Sequence, residues 1–469
     1  MNNQTSSGRK FSRRDFLKLA GGAAFIVAGT SVMPQFLRKS LLPTNIADAQ
    51  DVPPDLYFAG TDGWIYLPPT PAIGSYHPDS AAPTPFTTYI FGFRNITGMS
   101  PDQISQQKMH AQHNAPLFWA KQYDENLNPI DFRLQLTNLG LQMRPDLTDS
   151  HTLHWHGFRN VIPFFDGEPT GSVSVPVGRN FTYVYRPRQP GTYMYHCHVE
   201  DVEHVHMGMT GLVFVRPVQD GQTFSFDGRS FNKFAYNDGN GSTGFDREFA
   251  MFMSEVWAEA HWDDAHIQLP DWTDYRADFS LLNGRVYPDT LEANAGIDVN
   301  DNSQKSPDGN FYAVPYARNG DGTLIGVSTR DELQYQPLSA LVTCEEGEQV
   351  LLRFVNLGFK EASMTLAGIK MRVVGRDATP MRGGVNGLTG ADTSYETDTI
   401  LIGAGESFDV ILKAPAHSGG SGPDTYVLYN RRYSQEDNLG NHGGQRTEVR
   451  VYPSGSLSPQ QFPNDWGVA

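Results

Sequence analysis

Cysteine is nearly absent from this chain. Two cysteines in 469 residues, Cys197 and Cys344, allow one disulfide at most and exclude a disulfide-built scaffold. Cationic residues are also scarce, since 36 Lys and Arg face 52 Asp and Glu for a formal charge of −16. That balance excludes the electrostatic footprint of a nucleic-acid or anionic-lipid binder, and leaves an acidic surface suited to solubility or to a cationic partner. Long helical periodicity is missing, and no apolar run is long enough for a stable membrane span. Charged residues make up only 19% of the chain against 39% hydrophobic ones, with 46 Gly and 31 Pro. Those proportions describe a folded, turn-rich protein rather than a disordered one.

The N-terminus stands apart from the rest. "SRRDFLKLAGGAAFIVAGT" sets two arginines before a short, Gly-rich apolar stretch, and "ADAQ" offers a small-residue cleavage site after Ala49. The pattern resembles a twin-arginine export signal over residues 1–49, which implies a periplasmic or extracellular protein exported already folded. After residue 50, strand signals dominate: "DFRLQLTNL", "NFTYVYRP", "GLVFVRP", "QVLLRFVNL" and "TYVLYN" alternate or cluster apolar and β-branched residues between turn residues. Many short strands with turn punctuation predict an all-β protein of β-sandwich domains. Apolar periodicity lapses around 217–245, placing one domain at 50–217 and a second at 218–469. A polar stretch near 289–330 reads as an insertion in the second.

What the chain does have is crowded histidine. "YHCHVEDVEHVHMGM", residues 195–209, holds four of the 14 histidines, one of the two cysteines and two methionines. Side chains on a strand alternate faces, so His196 and His198 point one way and Cys197 the other. "SHTLHWHGF" repeats the arithmetic: His154 and His156 share a face, and His151 has opposite parity. Pairing the two stretches predicts two constellations. One gathers His154, His156, His196 and His198; the other gathers His151 and Cys197, joined by His204 and Met209 from the loop that follows. Two imidazoles, a thiolate and a weak axial thioether form the ligand set of a blue-copper site, and Met is a poor ligand for the alternative, zinc. His206 and Met207 are alternative ligands from the same loop. The all-imidazole face suits copper that meets a small oxidant. Cys344, in an apolar strand-like run, reads as a small buried residue.

At these residues the chain resembles the multicopper oxidases and their two-domain relatives, including laccases and copper nitrite reductases. "HTLHWHGF", "FFDGEPTGSVSVPVGRNFTYVYRPRQPGTYMYHCH" and "GMTGLVFVRP" carry the likeness, as does "NAPLFWAKQYDENLNPIDFRLQLTN". "FSLLNGRVYP", "EEGEQVLLRFVNLG" and "ILIGAGESFDVIL" extend it into the second domain, so that it spans most of 55–450. The resemblance implies two cupredoxin-like Greek-key sandwiches and an exported copper oxidoreductase. His151, Cys197, His204 and Met209 match its blue-copper ligands. His154, His156, His196 and His198 match half of an oxygen-reducing trinuclear centre. Electrons would come from a small reducing substrate or redox protein and pass through His196–Cys197–His198 to dioxygen, at a histidine-bound site of one to three copper ions.

The chain departs from that pattern in two ways. The cysteine lies in the first domain, with a Cys197-to-His204 spacing longer than the usual laccase loop. The second domain holds only His261, His266, His417 and His442, none in an HxH pair, and so looks copper-free. His110 and His113, or a homo-oligomer joining two histidine faces, are candidate sources of the missing ligands. The alternatives are an electron-transfer or copper-buffering cupredoxin, or a nitrite-reductase-like enzyme.

Overall fold

Period-two alternation becomes strand wherever one face meets a core. In the strand Phe132–Asn138 every second residue is buried, and Asn180–Tyr185 follows the same rule. The computed structural model describes residues 52–466 except 125, 296–316, 319–323, 326, 329, 385–389, 439–440 and 461. The expected export signal over residues 1–49, and most of the stretch near 289–330, lie outside the described residues.

Eight strands build the first sandwich: β1 (Leu56–Ile65), β2 (Thr88–Asn95), β3 (Leu117–Lys121), β4 (Phe132–Asn138), β5 (His154–His156), β6 (Asn180–Tyr185), β7 (Gly191–His196) and β8 (Thr210–Arg216). They form two sheets, ordered β2-β1-β4-β6 and β3-β8-β7-β5. Helix α1 (Asp201–Met207) connects β7 to β8. The core between the sheets is rich in aromatic side chains, among them Phe58, Phe118, Trp155 and Tyr195, and it includes Cys197 and Met209.

The second sandwich repeats the plan. Its strands are β9 (Arg247–Val256), β10 (Phe279–Leu282), β11 (Val342–Glu345), β12 (Gln349–Asn356), β13 (Ala362–Leu366), β14 (Met371–Arg376), β15 (Thr399–Ile402), β16 (Ser407–Lys413), β17 (Asp424–Asn430) and β18 (Arg446–Tyr452), and helix α2 (Ala258–Ala265) follows β9. One sheet runs β10-β9-β12-β16-β14, with short strands at the β14 edge, and the other runs β11-β18-β17-β13-β15. The pairings match those of the first sandwich: β1/β4 and β9/β12 are parallel, as are β3/β8 and β11/β18. The pairs β7/β5 and β17/β13 are antiparallel.

The two sandwiches are joined face to face. Leu117, Met194, Leu212 and Phe214 pack against Ala250, Phe252 and Val355, so β7 is buried along its whole length, unlike the alternating β4 and β6. A buried ion network crosses the same junction. The fully buried Arg353 pairs with Glu248 at 2.8 Å and Asp409 at 3.4 Å, and Arg216 also reaches Glu248. Tyr236 donates to Asp409 at 2.6 Å. Each buried charge here has an opposite partner, without which desolvation would cost several kcal/mol. The stretch at 217–245 is more ordered than its composition suggested, and contains a hairpin of Phe224–Phe226 against Arg229–Phe231.

Candidate metal centre

The register of β5 against β7 sets the site. His154 pairs with His196, Trp155 with Tyr195 and His156 with Met194. His154 and His196 are therefore direct cross-strand neighbours, and Cys197 emerges one residue on, on the opposite face.

On that face, Cys197 Sγ stands 3.3 Å from His204 Nδ1 and 4.0 Å from His151 Nδ1. Donor atoms held ~2.0–2.3 Å from one transition-metal ion stand roughly 3–4 Å apart, so the spacing suits a shared ion. Burial alone would raise the Cys197 thiol, but His204 and His151 beside it prevail and hold it well below the usual range. Burial would likewise lower His204, yet Cys197 and Asp149 push it up to about 10. The metal-free pair is thus a thiolate beside an imidazolium, with a proton where a cation would bind. The Thr152 amide donates to the sulfur at 3.4 Å. Met209 closes the segment: its amide donates to the His204 carbonyl at 2.9 Å, and its carbonyl accepts from Cys197 at 3.1 Å. Its methyl and the His151 ring meet over Gly60, where an added Cβ would lie 3.2 Å from Met209 Cε and 2.7 Å from His151 Cδ2. A side chain at Gly60 would displace the ring.

On the other face, His154, His156 and His196 bring ring nitrogens within 4.8 Å of one another. His198 lies beside them, its ring centre 5.1 Å from that of His154. Backbone carbonyls orient two of the rings. His154 Nδ1–H donates to the Asp166 carbonyl at 2.7 Å and His196 Nδ1–H to the Cys197 carbonyl at 2.8 Å, so that in each ring Nε2 is the unprotonated nitrogen. His196 Nε2 stands 3.4 Å from His156 Nδ1. Burial lowers His196 to about 3, and burial and His154 lower His156. Burial thus favours the neutral form at His196 and His156, the form in which an imidazole can bind a metal ion.

Several expectations need correction. The segment carrying His204 is the helix α1, not a loop. His206 is turned away from Cys197: its Nε2 accepts the Trp257 amide at 3.0 Å. Met207 is buried in the first core. His110 stacks on Tyr335, with ring centres 5.6 Å apart. His113 is wedged so tightly that a Cβ on Gly208 would lie 2.8 Å from its ring, and it joins neither constellation. Among the described residues, no group of three metal-binding side chains lies in the second sandwich. Two contributors escaped the sequence reading. Asp149 Oδ2 lies 3.9 Å from His204 Nε2. Gly405 (φ +79°), on the turn before β16, backs onto His156, so that a Cβ there would lie 3.1 Å from Nε2. An isolated Asp and a turn Gly carry no signal that could have marked them. Cys344 is buried and free, as expected.

Two family profiles described as multicopper oxidase match residues 135–220 and 267–454, together more than half of the chain. The chain belongs to the multicopper oxidase family. Membership implies copper as the cofactor, in agreement with the donor set around Cys197. Laccase-2 of Botryotinia fuckeliana is 24% identical over 289 residues, 60% of this chain and 37% of that protein. Copper resistance protein A of Escherichia coli is 24% identical over 287 residues, 58% of this chain and 39% of that protein. The chain thus spans less than two fifths of the length of these relatives. Two solved multicopper oxidases share the fold. The blue copper oxidase of Nitrosomonas europaea has TM-score 0.51 and 18% identity, over 84% of this chain and 85% of that one. The multicopper oxidase mgLAC has TM-score 0.52 and 19% identity, over 88% of this chain and 92% of that one.

Proposed function

We propose that the protein is an exported copper oxidase that takes single electrons from a reducing substrate at a blue-copper centre and delivers them to dioxygen at a histidine-bound centre. His151, Cys197, His204 and Met209 would hold the first centre, and His154, His156, His196 and His198 the second. Bound copper supplies one-electron redox chemistry at the first set and a Lewis-acidic oxidant site at the second. The observation that carries this reading is the placement of Cys197. Its sulfur belongs to one donor set while the residues on either side of it belong to the other, so one tripeptide joins the two covalently. Thr152 holds the sulfur by its amide, and the Asp166 and Cys197 carbonyls hold two imidazoles in the tautomer whose Nε2 carries no proton. Electron entry fits the His204 Nε2 edge, where half-buried Asp149 and exposed Glu200 approach the ring.

A second reading, an electron-shuttling cupredoxin, is favoured by one feature: the second sandwich offers Gly405, not histidines, to His156. A homo-oligomer bringing histidine faces together would answer that deficit. The test combines copper per chain, oxygen uptake with phenolic, metal-ion and protein reductants, and mass in solution. More than one copper with oxygen uptake supports the oxidase. A monomer with a single copper and no uptake leaves the shuttle.

A further inference from the structure

Helix α1 has seven residues, too few to hold a position in water by itself. The residue before it, Glu200, has a left-handed φ of 45° and provides no side-chain cap. Yet α1 holds His204 against Cys197, and Met209 follows directly after its end.

We propose that His206 is the positioning residue through which the second sandwich fixes this donor helix. Two positions along a helix turn the side chain by roughly 200°, so His204 and His206 leave α1 on opposite sides. His204 faces the first sandwich. His206 is 5% exposed and accepts the Trp257 amide at 3.0 Å, where β9 gives way to α2. The rings of His261, Trp272, Tyr275 and Phe359 surround it at centroid distances of 5.2, 5.4, 5.4 and 5.4 Å. All four follow β9 and belong to the second half of the chain. Acceptance at Nε2 leaves the ring proton on Nδ1, so this contact uses a neutral imidazole. It also satisfies a buried amide at the head of α2, where Trp257 itself provides no side-chain cap and Asp278 accepts only the next amide, that of Ala258, at 2.9 Å.

Helix α2 is anchored in turn on the first sandwich. His261 Nδ1–H donates to the Tyr89 carbonyl of β2 at 2.6 Å, and Asp264 pairs with the buried Arg144. Two residues along β2, Phe91 meets the His204 ring at 5.8 Å, edge to face. The donor helix is therefore held on both sides. One side is the core that carries the ligands, and the other is a sandwich with no donor cluster among its described residues.

The test uses the full chain as wild type, His206→Phe and His206→Gln. Phenylalanine keeps a ring in the aromatic box and removes only the acceptor, so that variant should fold; glutamine restores a carbonyl acceptor. In metal-free protein, amide exchange at Trp257 and at residues 204–209 should quicken roughly tenfold in His206→Phe and return toward wild type in His206→Gln. The spectroscopic arm rests on the copper reading of Cys197. After copper loading, the thiolate-to-copper band and the EPR hyperfine splitting should shift in His206→Phe with copper per chain unchanged. Wild-type exchange at residues 204–209 in His206→Phe overturns the proposal. So does loss of one copper together with the band, which would make His206 a ligand. If the wild type itself shows no blue band, the copper reading fails alone, and the metal-free exchange comparison still decides the role of His206.

Discussion

The two sandwiches share a sheet plan and differ at two strand ends. In the first, β5 brings His154 opposite His196 at the end of β7. In the second, the equivalent strands β13 and β17 bring Met364 opposite Asn430. Where β7 runs into Cys197 and His198, β17 runs into Arg431 and Arg432, and Arg432 pairs with Glu361. One end presents soft and imidazole donors, the other an ion pair and amides. The same scaffold thus accommodates either set, and a few residues at equivalent strand ends decide which copy presents a donor cluster among the described residues. The second copy serves as a support: it closes β7, grips α1 and backs His156.

The largest effect should come from Cys197→Ser, which removes the soft donor. The intense blue absorption and all turnover should vanish while the fold survives, as judged by visible and circular-dichroism spectra. A variant that stays blue would end the assignment. Next, His154→Ala with His198→Ala should lose the copper of that face and abolish oxygen uptake, while the blue band persists. Loss of the band as well would show that the two donor sets are not separate.

The support role can be broken at the junction. Arg353→Leu would leave the buried Glu248 and Asp409 short of their partner and should cost about 3–5 kcal/mol, read from the urea midpoint. A shift under 1 kcal/mol would mean that the network contributes little to joining the sandwiches.

Acid should act at the same junction. Burial holds His113 at about 3 and His261 at about 4. Unfolded, both would titrate near ~6.5. The metal-free protein should be fully stable above that pH and lose stability as pH falls through 6.5 toward the folded values, because the unfolded chain then binds more protons. The loss should reach a few kcal/mol, and His113→Gln should flatten the slope. An unchanged slope would locate the acid sensitivity elsewhere.

The smallest effect sharpens the contrast directly. Changing His261, His266, His417 and His442 together to Gln should leave copper per chain unaltered, with any stability cost tracing to junction contacts such as that of His261. His417→Gln alone, at a half-exposed loop site, should shift stability by less than about 0.5 kcal/mol. Any fall in copper would reveal a donor in the second sandwich.

Much of the donor chemistry was legible in the chain because it is local. Strand parity around "HTLHWH" and "YHCHV" separates Cys197 from His196 and His198 without knowledge of any partner strand. Turn-punctuated alternation likewise announces sandwiches. The destinations of His206, His110 and His113 were not legible. Their surroundings are assembled from Trp257, Tyr335 and Gly208 respectively, and no local period records such neighbours. Even α1 was read as a loop, since seven residues beside a metal-like motif offer too short a window for helical periodicity.

By itself the sequence determined which donor atoms exist, which faces they share and that their HxH clusters fall in the first half of the chain, because covalent order and backbone geometry settle these within a few residues. Only the tertiary structure decided that His206 turns its ring to the second sandwich, that Gly405 backs onto His156 and that Arg353 joins the two halves. Those are choices of packing, made where burial forces each polar group to find a partner wherever the fold brings one.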